Sequence, residues 1–142
     1  MEYRRQTNCV YYCQYHLVLV SKYRRKIFND GVQEYMNVVL KELPERYPGI
    51  FIEEINHDKD HIHILISIPP KYGVWKVVGI IKANTARHLK EKFEFMKKAY
   101  YGNDGIWSEG YFVSTVWMNE EAIRRYIEHQ GMEDSAQAKL VF

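Results

Sequence analysis

His61-Ile62-His63-Ile64-Leu65-Ile66-Ser67-Ile68 alternates with a period of two, and its reading decides the fold. As a strand it sends Ile62, Ile64, Ile66 and Ile68 to one face and His61, His63, Leu65 and Ser67 to the other. The isoleucine face belongs under helices. Pro69-Pro70 ends the strand, and His57-Asp58-Lys59-Asp60 is a short polar connection to another strand-like run, Ile50 to Asn56. Upstream, Tyr12 to Val20 reads as a strand with Tyr15, Leu17 and Leu19 on one side and His16, Val18 and Val20 on the other. Between them, from Gly31 to Leu43, Val32, Tyr35, Met36, Val39, Leu40 and Leu43 recur at helical spacing behind the N-cap candidates Asn29 and Asp30. Downstream, a longer helix runs from about Val74 to Phe93, and Tyr111 to Trp117 is a fourth strand. Asn119 is placed to cap a last helix through His129, with Glu120 and Glu121 in its first turn. The order β-α-β-β-α-β-α is α+β. Its first six elements match a ferredoxin-like, RRM-like antiparallel sheet with two helices on one face, the other face being left free for a ligand or partner.

The 142 residues, 46% hydrophobic and 27% charged, are enough for one domain with its own core. That domain takes the whole of 1–142, with a core at about 11–117, a last helix at about 119–130 and a tail at 131–142. Cys9 and Cys13 are four apart, the spacing of neither a redox pair nor a convincing zinc half-site, and read as reduced thiols. No stretch of about 18 apolar residues exists, and Met-Glu-Tyr-Arg-Arg lacks the apolar run of a signal peptide, so a cytoplasmic protein without a membrane partner is expected. A net charge of +2 is too mild to announce nucleic acid by itself.

Several residues have chemistry to offer. His61 and His63, two apart on a strand, stand about 6 to 7 Å apart at Cβ, so that both rings can reach one metal ion. Two histidines on a half-solvated face also occur without any ligand. Asp58 and Asp60 suit either a supporting role or plain turn chemistry. Tyr126 and Gln130 share a helix face beside the stripe of Ile123 and Ile127, although an edge-of-core tyrosine would look the same. A tyrosine hydroxyl, with an ordinary pKa near 10, attacks only with help, which a metal drawing charge from a phosphate provides. Basic residues gather at Lys22, Arg24, Arg25 and Lys26, and again from Lys76 through Lys82, Arg87 and Lys90 to Lys98. With Tyr23, Tyr72, Trp75, Tyr100 and Tyr101 close in sequence, they resemble the mixture of cations and stacking rings used on single-stranded nucleic acid. There is no Gly-rich phosphate loop.

In order along the chain, several motifs resemble one family, the HUH single-tyrosine transposases (IS200-like) of insertion sequences that move as single-stranded DNA. They are Tyr15-His16-Leu17-Val18 leading into Lys22-Tyr23-Arg24-Arg25-Lys26, then Asp60-His61-Ile62-His63 with Pro69-Pro70, then Lys82 to Arg87. Trp107 through Gly110 to Val116, and Tyr126 with Gln130, complete the resemblance, which covers about 11–130. It implies that Tyr126 attacks a DNA phosphodiester and becomes joined to the 5′ phosphate, while His61, His63 and Gln130 hold Mg²⁺ or Mn²⁺ on the scissile phosphate. It further implies single-stranded DNA with hairpins at element ends as partner, DNA contacts from Lys22, Arg24, Arg25, Lys82 and Arg87, and a homodimer whose active sites can be completed in trans. Rival readings are a domesticated HUH nuclease acting on chromosomal hairpins, a non-catalytic nucleic-acid-binding module, and a structural metal-binding protein. Relaxases and replication initiators fit less well, because relaxases usually carry the tyrosine before the histidines and are larger.

Overall fold

The computed structural model describes residues 4–6, 9–11, 13–102, 105–115 and 120–141. A small antiparallel ladder of β1 (Arg4–Gln6) and β2 (Cys9–Tyr11) comes first. Three-residue strands are too short to carry a periodic signal, and the sequence reading has no counterpart for them. Next come β3 (Gln14–Val20), a 3₁₀ turn at Lys22–Arg24, and α1 (Asp30–Lys41), whose cap Asn29 accepts a hydrogen bond from Val32 N at 3.0 Å. A single turn of helix, α2 (Leu43–Arg46), leads into β4 (Phe51–His57) and β5 (His61–Ser67). The second half holds α3 (Val74–Lys92), the short α4 (Glu94–Ala99), β6 (Phe112–Ser114) and α5 (Glu120–Val141). Expectations placed on Tyr12, Trp117 and Asn119 lie outside the described residues.

The four long-range strands form one antiparallel sheet in the order β4-β5-β3-β6, the ferredoxin-like arrangement. As the alternation dictates, Ile62, Ile64, Ile66 and Ile68 are buried together with Leu17 and Leu19 of β3 beneath Val32, Met36 and Leu40 of α1 and Val77, Ile81 and Leu89 of α3. Leu43 of α2 and Met96 of α4 add to the same core. Ile64 is wholly buried at its centre, so Ile64→Ala should cost about 2 to 5 kcal/mol by lost transfer energy and the cavity left behind. Urea unfolding of the two proteins measures it.

The opposite face departs from expectation in two ways. It is not left free, because α5 lays Ile127 on Val18 and Val20, with Ile123, Tyr126 and Phe112 packed around them. Nor does the last helix stop at His129: it runs through Gly131 to Val141. Gly131 permits a close approach. A Cβ there would lie 2.8 Å from Cγ of Arg24 and closer still to its Cδ. One turn later, the buried Asp134 accepts hydrogen bonds from Tyr23 N at 2.9 Å and from the Ser108 hydroxyl. A glycine that usually marks a helix end is here the contact point of a continuing one. Among the described residues no helix is long and apolar enough to cross a membrane.

Candidate active site

β5 lies between β4 and β3, which places His63 opposite Asn56 and Val18, and His61 opposite Val20 near the strand's start. His16 of β3 stands close by, its ring 6.3 Å from that of His63. Nδ1 of His61 is 2.8 Å from Oδ1 of Asp60. A carboxylate only accepts, so Nδ1 carries the proton; in a neutral ring this leaves the lone pair on Nε2, the arrangement seen when a carboxylate orients a metal-ligating imidazole. Asp60 is itself fixed: its carbonyl accepts from Ser21 N at 2.9 Å and Ser21 Oγ at 3.1 Å, while Arg24 Nε meets its second carboxylate oxygen at 3.2 Å. Burial chiefly, then the neighbouring His16 and His61, pushes the His63 pKa down, against a smaller opposing pull from Glu54. The neutral ring that results is the form a metal takes. Two imidazoles on one strand face, one of them aimed by a carboxylate, fit two positions of a divalent-ion site. Among the described residues no third His, Cys, Asp or Glu joins them, so further donors would come from an amide, a substrate oxygen or water.

Tyr126 and Gln130 are brought together elsewhere. The Tyr126 ring packs on Phe112 of β6 with centroids 5.9 Å apart. Gly110, in the left-handed region at φ 82°, lies beneath both side chains: a Cβ on it would fall 3.6 Å from the Tyr126 hydroxyl and 3.8 Å from Gln130 Nε2. β6 is two strands from β5, about 10 Å across the sheet. His61 lines a groove on the other flank of α5, about 580 Å³ in volume, with Arg24, Asp60, Ile123 and Ile127. Gln130, expected from the resemblance to share an ion with His61 and His63, and Tyr126 both rest against Gly110 on the β6 side of the sheet.

Burial, followed by the negative charges of Asp134 and Glu133, pushes the Tyr126 hydroxyl up to about 12. The protonated phenol is therefore favoured in the fold, and the unfolded chain would ionise it from about pH 10. Stability from this group is complete below about pH 10 and is lost as pH rises towards 12. Denaturation midpoints taken from pH 9 to 11 should fall less steeply in Tyr126→Phe than in the parent chain.

The basic residues divide. Lys82 gives its ammonium to the carbonyls of Ser108 at 2.8 Å and Gly110 at 2.7 Å, and burial lowers its pKa despite Glu109 and Asp134. It thereby fastens the turn on which Tyr126 and Gln130 rest. Arg25 bonds the Ala99 carbonyl and lies over the Tyr23 and Tyr100 rings, while Lys22 lies over Tyr23. Arg24 meets Asp60. Arg87 pairs with Asn84 in a groove of about 550 Å³ shared with Arg46, Lys76 and the exposed Trp75. Of the aromatic residues read as stacking candidates, Tyr101 and Trp75 are exposed, but Tyr100 is buried, its hydroxyl donating to the Lys22 carbonyl at 2.7 Å. The sequence offers no role for Asp134 or Gly131, whose contacts with Tyr23 and Arg24 span more than a hundred residues.

Comparison with known proteins identifies the class. The family model described as "Transposase IS200 like" matches residues 9–130. The transposase for insertion sequence element IS200 of Salmonella typhimurium is 37% identical over 122 residues, covering 86% of this chain and 79% of that one. The ISDra2 transposase TnpA of Deinococcus radiodurans is 27% identical over 131 residues, covering 92% of each. A crystallised protein of Deinococcus radiodurans superimposes with a TM-score of 0.79 at 26% identity, covering 89% of this chain and 97% of its own. These matches define a transposase, an enzyme that processes DNA. The chain belongs to the IS200-like transposase family.

Proposed function

We propose that this transposase acts on single-stranded DNA, cutting and rejoining hairpin-bearing element ends through a 5′-phosphotyrosine on Tyr126. The observation that carries the reading is the pair His61 and His63 on one strand face, His61 aimed by Asp60 at 2.8 Å, beside a helix that bears the tyrosine. In the cleavage step the Tyr126 oxygen bonds to phosphorus and the P–O3′ bond breaks. The phenolic proton leaves to water and the departing 3′ oxygen takes one up. No water enters the products, so the bond energy is kept for rejoining to another strand. Mg²⁺ or Mn²⁺ held by His61 and His63, with Gln130 as a further donor, would draw charge from the scissile phosphate. Lys22, Arg24, Arg25, Lys82 and Arg87 carry the DNA-contact reading; Arg87, beside Trp75, has the most suitable surroundings and Lys82 the least, its ammonium being engaged by two carbonyls.

The seat of α5 bears on how the reaction begins. With Tyr126 packed at Gly110, a shift of the helix along the sheet, or a helix supplied by a second copy, would present the hydroxyl to a phosphate held at the histidines. A homodimer with active sites completed in trans is the second case. The test mixes the protein with labelled single-stranded DNA carrying the hairpins of its own locus, with and without Mg²⁺ or Mn²⁺, on a denaturing gel. A metal-dependent protein–DNA adduct is expected. Tight hairpin binding with no adduct under either metal would make the chain a binding module instead.

A further inference from the structure

We propose that Arg24 and Asp60 are positioning residues through which the seat of the tyrosine-bearing helix α5 sets the orientation of the His61 ring. The proposal rests on His61 being an ion ligand, as read above. Three contacts run in series. The backbone of Gly131 lies against the aliphatic part of Arg24, leaving no room for a Cβ. Arg24 Nε meets Asp60 Oδ2 at 3.2 Å, and Asp60 Oδ1 meets His61 Nδ1 at 2.8 Å.

A second line from α5 reaches the same arginine. Tyr23 at φ 61° and Arg24 at φ 53° occupy the left-handed region, which residues bearing a Cβ hold only when their surroundings impose it. What imposes it on Tyr23 includes the buried Asp134 of α5, which accepts from Tyr23 N at 2.9 Å; Arg24 N in turn donates to Ser21 O at 2.9 Å. The helix thus fixes both the backbone that launches Arg24 and the space its chain occupies. The far end of the series is rigid as well, because Ser21 fastens the Asp60 carbonyl. Arg24 is the movable link. When α5 leaves, Tyr23 N loses its acceptor and Arg24 its wall, and the guanidinium is no longer held on Asp60. His61 is then aimed only where an α5, its own or that of a second copy, is seated on the turn.

The experiment has two readouts on the full chain: the His61 tautomer from two-bond ¹H–¹⁵N spectra at about pH 8, above the ordinary imidazole value of about 6.5, and Mn²⁺ affinity by titration calorimetry. The parent chain should show the Nδ1–H form. Asp60→Ala should shift His61 towards Nε2–H and weaken Mn²⁺ by about 10- to 100-fold, the usual effect of removing a ligand's orienting partner. Gly131→Ala, remote from both histidines, should move the tautomer the same way and weaken Mn²⁺ to the same degree as Arg24→Gln. The double variant should be no worse than either single one. Asp134→Asn reaches the arginine through Tyr23 and should act likewise if Gly131→Ala proves poorly folded. The relay is overturned if Gly131→Ala and Asp134→Asn leave tautomer and affinity at parental values, or if the Gly131 and Arg24 effects simply add. If the tautomers respond but the parent chain binds no Mn²⁺, it is the ion reading of the histidine pair that falls.

Discussion

Tyr126→Phe is expected to abolish the covalent protein–DNA product while leaving hairpin affinity within about twofold. The substitution removes one oxygen. The ring keeps its place on Phe112 and α5 keeps Ile127 on Val18 and Val20, so the fold and any DNA surface are undisturbed. Losing a nucleophile outright typically lowers turnover on the order of 10⁴-fold or more, which on a denaturing gel means no adduct at all. An adduct persisting in Tyr126→Phe would assign the nucleophile to a different residue. Filter binding of the same hairpin DNA measures the affinity half of the prediction.

His63→Ala should have the next largest effect, removing detectable Mn²⁺ binding and adduct formation together. His63 stands between Asn56 and Val18 on a face already covered in part by α5, and its lowered pKa leaves little competition from protons near neutrality. Loss of a direct ligand from a site with only two imidazoles should weaken binding by more than about 100-fold, beyond the effect of losing an orienting partner. Calorimetry with Mn²⁺, in the absence of DNA, separates this from any change in DNA affinity. Retention of both binding and adduct would remove His63 from the site.

The frame of the molecule was legible because it rests on short-range periodicity. Ile62 to Ile68 and Leu17 with Leu19 announce which face is buried, and Asn29 announces the start of α1. Elements built from three to six residues, such as β1, β2, α2 and α4, contain too few side chains for a period to show. The end of α5 was misread for a different reason. Gly131 carries its usual local meaning as a terminator, but the decisive fact is its contact with Arg24, a neighbour in space alone. In the site, the strand period put His61 and His63 on one face and the helical period put Tyr126 beside Gln130. Whether those pairs meet depends on how α5 lies across the sheet, and that is set by Asp134, Tyr23 and Ser108 acting over long separations. Lys82 shows the same limit: a lysine bonded to two carbonyls and one reaching for phosphate have the same one-letter code.

The apolar seam between α5 and the sheet would set the pace of the helix movement proposed above. Lifting the helix uncovers Val18 and Val20 together with Ile127, so a protein with the helix merely detached is a high-energy species. In the proposed homodimer a second copy would supply an identical helix to the vacated seat. Reciprocal exchange between two copies would then begin and end with the same apolar surfaces in contact, so that the exchange of contacts itself would be close to thermoneutral. The resistance would lie in the barrier. Occupancy of the exchanged form would then depend weakly on temperature, whereas its rate of appearance after mixing would depend on it steeply.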